Sequence, residues 1–331
     1  MTGDLVLGIE TSCDDTAVAL VDRDGVVAAA CVASQAELHS NYGGVYPELA
    51  GRAHVEKIIP TVQQVLETAA IRPDELRAIG VTRGPGLIGS LLVGLNTACG
   101  LGHGWDIPVF GVNHLRGHLR SADLEERRVT FPAMVLLVSG GHTLLARMTD
   151  PINIELIGST IDDSVGEAYD KVARMLGLGY PGGPVVDKLA LTGRPAIPFP
   201  RPLYRRGLDF SFSGLKSAVD RYIVANPDTP HEDVAASFVD ACIDVLVSKS
   251  RSALRQFPSS SLVVVGGVAA SPQLRVAAKG LCDEFEVELC LPPLRWSTDN
   301  GAMIGLAAWD NVTLKLSHAL KPVPNLAITD I

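Results

Sequence analysis

The sequence predicts an α/β protein built twice over, with two similar lobes and a cleft between them. Three observations carry that reading. The order strand, small polar loop, strand, turn, strand occurs at the start of the chain and again in its second half. A strand that runs through a glycine-rich turn into a helix start also occurs once in each half. The chain has 331 residues, too many for one small core and suited to two domains or a duplicated one.

In the first half, Leu5 to Ile9 reads as a buried strand, Glu10 to Asp15 as a polar turn and Thr16 to Val21 as a second strand. Asp24-Gly25 is a hairpin turn that returns the chain through Val26 to Val32. Tyr46 to Ala69 places Leu49, Ala53, Ile58, Val62, Val65 and Leu66 close to a helical period. Ile79 to Thr82 then leads through Arg83-Gly84-Pro85-Gly86 into a helix beginning near Ser90. The run Gly84 to Trp105 carries no charge and is long enough to suggest a membrane span. Its many glycines, with Pro85, Asn96 and His103, favour a buried helix with glycine-rich ends.

The second half repeats the pattern. Ala133 to Val138 is a strand, Ser139-Gly140-Gly141-His142 a polar turn, and Thr143 to Met148 the returning strand. Asp150-Pro151 turns the chain into Ile152 to Ile157. Leu262 to Val265 passes through Gly266 to Ser271 into a helix near Pro272, and His231 to Gln256 is a long helical region. Between them, Pro195 to Phe212 interleaves prolines, Arg201, Arg205 and Arg206 with Phe199, Tyr204, Phe210 and Phe212. That composition predicts an exposed basic loop with aromatic faces available for stacking. The lobes are expected at 1–125 and 126–309, with an insertion at about 194–230. The segment at about 310–331 is expected to pack back on the first lobe.

Composition narrows the function. Hydrophobic residues make up 47% and charged residues 20%, enough for a large core. A net charge of −9 excludes a nucleic-acid binder that relies on an overall basic surface. A nucleic-acid substrate must therefore be held by a local basic strip or with a partner. The six cysteines are scattered, with no C-x-x-C pair, as suits reduced thiols in a cytosol. No signal or transit segment precedes Leu5, so a cytoplasmic location is expected, with no membrane partner.

Chemistry concentrates in a few stretches. His114 and His118 stand one helical turn apart in Asn113-His114-Leu115-Arg116-Gly117-His118, so both can reach one cation. Two partly exposed histidines at a helix start would show the same spacing. Asp299, just before the apolar stretch Ala302 to Trp309, either caps that helix or supplies a third ligand. Two imidazoles and a carboxylate leave coordination positions open, as a catalytic metal requires.

Three turns, Glu10 to Asp15, Val138 to His142 and Gly266 to Ser271, are expected to converge on a nucleotide. Each alone reads as a tight turn, and no Walker A sequence is present. Asp163, Glu167 and Asp170 fall on one helical face, either a solvated helix start or a set of acidic groups for chemistry. The loop Gly177 to Pro184, ending before Asp187, is a candidate ribose site.

Taken together these residues closely resemble the TsaD family, which makes threonylcarbamoyl-adenosine in tRNA. The resemblance runs through Gly8 to Thr16, Gly43 to Ala50, Arg52-Ala53-His54, Gly84 to Ser90 and Val112-Asn113-His114. It continues through Val138 to Thr143, Gly166 to Lys171, Tyr180 to Pro184, Phe212 to Lys216 and Thr298-Asp299-Asn300. It implies a duplicated actin-like ATPase fold with a central nucleotide and metal cleft. It also implies transfer of threonylcarbamoyl from threonylcarbamoyl-AMP to N6 of adenosine 37 in tRNAs reading ANN codons, with release of AMP.

By resemblance the metal ligands, and with them the catalytic residues, are His114, His118 and Asp299. The substrate site takes Leu137, Val138, Ser139, Gly140, Gly141, Asp170, Gly183, Asp187 and Ser271. One divalent metal is implied, Fe²⁺ by resemblance, although the donor set also accepts Zn²⁺ or Mn²⁺. The same cleft is open to ATP or ADP. Implied partners are tRNA, an inactive paralogue (TsaB), a small ATPase (TsaE) and a TsaC-type enzyme that supplies the adenylate.

Two positions depart from the family pattern. Ser271 stands where Asn is common; the shorter side chain lacks the amide, so the nucleotide contact there is expected to be weaker or water-mediated. Arg116 stands where Glu is frequent, which adds a cation expected to meet a phosphate. The rival readings are a phosphotransferase of the same fold, a non-catalytic scaffold subunit and a metalloprotease. The last is disfavoured because Leu115 occupies the position of the general base in H-E-x-x-H.

Overall fold

The computed structural model describes residues 5–40, 42–125, 129–316 and 319–330. In chain order the first half holds β1 (Leu5–Glu10), β2 (Thr16–Asp22), β3 (Val27–Ala33), α1 (Ala36–Ser40), α2 (Pro47–Ala69), β4 (Leu76–Gly84), α3 (Ile88–Trp105), β5 (Val109–Asn113) and α4 (His114–Ser121). The second half holds β6 (Ala133–Val138), β7 (Thr143–Met148), β8 (Ile154–Ser159), α5 (Val165–Met175), α6 (Gly182–Ala190), α7 (Ser213–Ala225), α8 (His231–Gln256), β9 (Ser261–Val265), α9 (Pro272–Phe285), β10 (Glu288–Cys290) and α10 (Gly301–Leu314).

The duplication is visible in the sheets. The first runs β3-β2-β1-β4-β5, and the second, read from its far edge, runs β8-β7-β6-β9-β10. In each, the leading strand pairs antiparallel with its hairpin partner and parallel with the strand that follows the crossover. The edge strands β5 and β10 pair parallel and complete each sheet. Both are short runs that the sequence pattern does not mark. β1 and β6 are buried almost throughout, as central strands covered on both faces must be.

The chain forms two compact units, Met1–Arg128 with Pro292–Ile331, and Val129–Leu291. The chain re-enters the first unit at Pro292, earlier than the expected return at about residue 310. Glycine explains the difference. Gly8 on β1 lies so close to α10 that a Cβ there would sit 2.0 Å from the Gly301 carbonyl oxygen and 2.4 Å from the Gly305 nitrogen. Bare backbone on both sides lets α10 lie directly on the first sheet, where Met303, Ile304, Ala307 and Ala308 join Val6, Ala78 and Val112 in a core. The contact brings Asp299, two residues before α10, to the first unit as well.

Within the second unit the Pro195 to Phe212 stretch differs from its expectation. Phe199, Phe210 and Phe212 are buried in the core with Phe238 and Tyr169, and Tyr204 packs against it. The rings face the core because α5 and α8 offer apolar surface to them, and burying an aromatic ring outweighs leaving it for a ligand. Arg205 and Arg206 stay exposed, as do Gly207 and Asp209 beside them. Their loop is held from below by Lys249 on α8, a buried ammonium that donates to the carbonyls of Leu203 (2.5 Å), Arg206 (2.7 Å) and Gly207 (2.9 Å). Arg201 bonds Asp240 and Asp244 of the same helix at 2.5 and 2.9 Å. Among the described residues no helix is long and apolar enough to cross a membrane.

Candidate functional site

In the first unit, β5 ends at Asn113 and α4 begins at once. The Asn113 side chain caps that helix by accepting from the Leu115 N–H at 3.0 Å. His114 and His118 follow one turn apart with ring centroids 4.7 Å from each other, and both are buried. Asp299 completes the group. Its Oδ1 lies 3.2 Å from His118 Nε2 and 3.7 Å from His114 Nε2. One ligand atom from each of the three lies within 4.8 Å of the others, the single such group among the described residues. The capping alternative for Asp299 fails, because Asn300 caps α10 by accepting from the Met303 N–H at 2.8 Å.

Two observations show that these residues fit a metal. Both ring nitrogens of His118 are buried without a hydrogen bond, which is costly for an imidazole that has no ligand. His114 is oriented from behind. Its Nδ1 bonds Glu10 Oε2 at 2.9 Å, with Ser12 Oγ 3.2 Å away, so Nε2 faces Asp299. That carboxylate–imidazole pairing is the usual support for a metal-binding histidine.

Glu10 is fully buried and also accepts from Thr82 Oγ1 at 2.6 Å. Burial pushes its carboxyl up, but His114 beside it outweighs burial and holds it below the ordinary value. Burial likewise pulls His114 down, while Glu10 and Asp299 raise it to about 9. Glu10, as the partner that orients a candidate ligand, is a residue the sequence pattern does not single out. In sequence it is the first residue of a polar turn, and its position at the end of a buried strand is the available signal. Burial pushes the thiol of nearby Cys13 well up, which disfavours its thiolate.

In the second unit the structure gathers two of the three expected turns. Ser139 to His142 forms the β6–β7 turn, closed by the Ser139 N–H on the His142 carbonyl at 2.8 Å. The Ser139 amide is thus engaged in the turn, not aimed at an anion. Leu137 and Val138 are buried β6 residues, so they shape the site through backbone position. Gly140 and Gly141 are exposed with open space where a Cβ would stand.

The loop Gly266 to Ser271 comes against this turn, with a Cβ at Gly266 falling 2.3 Å from the Val138 carbonyl oxygen. Ser164 Oγ donates to the Gly140 carbonyl at 2.5 Å and brings the start of α5 to the same place. The third turn, Glu10 to Asp15, belongs to the first unit and meets the histidines instead.

Asp170 of α5 accepts from the Gly182 N–H at 2.9 Å and fastens α6, on which Gly183 and Asp187 lie. Burial raises the Asp187 carboxyl to about 6, although the hydroxyls of Ser271 and Tyr169 bond it and pull the other way. Its Oδ1 is buried without a partner among the described residues. An acceptor in that state suits a ribose hydroxyl. Ser271 is buried and precedes α9, its Oγ donating to Gln273 Oε1 at 3.4 Å. The acids expected beside Asp170 are engaged elsewhere. Asp163 precedes α5 and pairs with Lys171 (3.0 Å) and Lys216 (2.7 Å), while Glu167 pairs with Lys171 at 2.7 Å.

Arg116, expected to meet a phosphate, instead lies buried with its guanidinium on backbone carbonyls of the last residues of the chain.

A model of the TsaD family, described as tRNA N6-adenosine threonylcarbamoyltransferase, matches residues 26–306. A protein of that name from Kosmotoga olearia is 45% identical over 329 residues, covering 98% of this chain and 99% of its own. One from Burkholderia thailandensis is 48% identical over 314 residues, covering 92% of this chain and 91% of its own. Among solved structures, component A of (R)-2-hydroxyglutaryl-CoA dehydratase from Acidaminococcus fermentans superposes with a TM-score of 0.57 at 15% identity, covering 94% of this chain and 100% of its own. That likeness shows the fold alone, the actin-like ATPase fold.

Proposed function

The chain belongs to the TsaD family of tRNA N6-adenosine threonylcarbamoyltransferases, and we propose that His114, His118 and Asp299 hold the metal on which its reaction depends. The reaction joins N6 of adenosine 37 to the carbonyl carbon of threonylcarbamoyl-AMP and releases AMP. The observation that carries the site reading is the buried His118, whose two ring nitrogens lack any hydrogen bond while Asp299 and His114 stand beside it.

When bound, a divalent ion at these residues supplies Lewis-acid polarisation of the carbonyl under attack. Two imidazoles and one carboxylate accept Fe²⁺, Zn²⁺ or Mn²⁺ alike, and the family resemblance is what favours Fe²⁺. Glu10 fixes the His114 ring so that Nε2 is the ligand atom.

In our reading Gly140 and Gly141 offer backbone donors to the adenylate, Asp187 takes a ribose hydroxyl, and Asp170, Gly183 and Ser271 shape the remaining wall. AMP is a good leaving group, so no protein nucleophile is required, in keeping with the Cys13 thiol that burial pushes up. We place tRNA on the exposed Arg205 and Arg206, whose loop Lys249 and Arg201 hold rigid. Replacing both arginines with alanine is expected to weaken tRNA binding about tenfold at low salt and to leave metal content unchanged. A filter-binding titration with unmodified tRNA checks this, and wild-type affinity would move the tRNA elsewhere.

A paralogous partner of the TsaB kind, a small ATPase and a TsaC-type adenylate source complete the proposed system, in the cytoplasm. Exposed Val55 and Ile59 on α2 and Ile88 and Leu92 on α3 give such a partner an apolar surface. The decisive experiment combines the protein and these partners with threonine, bicarbonate, ATP and unmodified tRNA. Mass spectrometry of the digested nucleosides is expected to show threonylcarbamoyl-adenosine with wild type and none with His118→Ala. Equal product from both proteins would remove the metal site from the reaction.

A further inference from the structure

Arg116 lies between the two histidines in the chain, yet its donors serve a different part of the molecule. Nε donates to the Ile328 carbonyl at 3.1 Å, and one terminal nitrogen donates to the Thr329 carbonyl at 3.1 Å. Asn113 acts on the same segment. While its oxygen caps α4, its Nδ2 donates to the carbonyls of Ala327 (2.7 Å) and Asp330 (2.9 Å). Four consecutive carbonyls, from Ala327 to Asp330, are therefore satisfied by two side chains of the metal helix and its cap.

The segment is seated along its length. The Val323 N–H donates to the Arg83 carbonyl at 2.8 Å, and the Gly86 N–H donates to the Pro324 carbonyl at 3.1 Å. Leu326 and Ile328 are buried.

We propose that residues 323–330 form a strap that positions the metal helix, with Arg116 and Asn113 as positioning residues for the metal ligands. α4 spans only eight residues, too short to hold its own geometry, so its orientation is set by what grips it. On one side α10 grips it, through Gly117 packed against Ile304 and Met303. On another the strap does, through two turns that join no sheet, leaving carbonyls that must find donors elsewhere. Arginine fits this role because its planar fork reaches two neighbouring carbonyls at once. A glutamate at the same position would set a carboxylate against two carbonyl oxygens, so the strap and Arg116 belong together.

The metal arm of this proposal rests on reading His114, His118 and Asp299 as ligands, and the test separates the two. Wild type, Arg116→Ala, Arg116→Lys and a chain ending at Pro322 are compared without metal by amide hydrogen exchange. They are then titrated with Co²⁺ and followed by visible absorption. Arg116→Ala and the shortened chain are expected to exchange the amides of residues 115–121 at least tenfold faster, with the β6 amides unchanged. Their Co²⁺ affinity is expected to fall about 10–100-fold, and that of Arg116→Lys to fall between.

Unchanged exchange in α4 together with Co²⁺ affinity within twofold of wild type would overturn the strap. If the shortened chain does not fold, Arg116→Ala and Arg116→Lys decide by the same two readouts. If wild type binds no Co²⁺, the ligand reading falls and the exchange of α4 alone decides the strap.

Discussion

Glu10 is fully buried, yet His114 beside it keeps its carboxyl ionised against the cost of burial. An oriented imidazole needs that partner more than it needs any apolar neighbour. Glu10→Gln keeps the size of the side chain and removes the charge, so Co²⁺ affinity is expected to drop about 10–100-fold. Titration of the two proteins at one pH checks this, and equal affinities would mean that Glu10 serves folding alone.

Asp187 shows the opposite balance. Burial raises its carboxyl to about 6 from an ordinary 3.8, so the folded state holds the proton more tightly than the unfolded chain. Stability from this group is full below pH 3.8 and is lost as pH rises through about 6. Asp187→Asn does not titrate, so its stability relative to wild type is expected to improve from pH 4 to 7.5, by about 1–2 kcal/mol after allowing for partial exposure. Urea unfolding at the two pH values measures it, and a constant difference would show that folding does not raise the Asp187 carboxyl.

At the scale of elements, the contact between β1 and α10 decides where Asp299 goes. The backbones meet at Gly8, Gly301 and Gly305 with no room for a methyl group. Gly8→Ala is therefore expected to cost about 3 kcal/mol or more and to lower metal affinity with it, since α10 can no longer close on the sheet. Thermal melting with and without Co²⁺ checks both effects, and a near-wild-type melt would contradict the close approach.

Much of the element order was legible in advance. β1, β2, β6 and β7 follow from apolar runs bounded by turn residues, and α2 and α8 from helical periodicity. β5 and β10 were not, because Gly111 and Asn113 interrupt the apolar run of one and the other spans only three residues. The aromatic residues of the Pro195 to Phe212 stretch were misplaced for a related reason. Composition says that a ring is available, and only neighbouring helices decide whether it faces them or the solvent.

At the scale of the whole molecule, one unit is continuous in sequence and the other is not. Val129–Leu291 holds its complete sheet, while the candidate metal ligands come from both separated parts of the first unit. A chain of residues 129–291 is expected to fold alone with a cooperative urea transition and to bind no Co²⁺. Circular dichroism and the same metal titration check this, and an unfolded fragment would show that the second core depends on the first.

Motifs and their spacing were enough, with no coordinates, to establish the duplicated α/β order, the family resemblance and the candidate ligands His114, His118 and Asp299. Those features depend on local pattern and on residue chemistry, which the chain states directly. Only the tertiary structure decided that Asp299 leaves the helix cap to Asn300, that Glu10 backs His114, and that Arg116 clasps residues 327–330 and not a phosphate. Each of those outcomes is a choice among partners far apart in sequence. Packing makes that choice by asking which buried polar group would otherwise go unsatisfied.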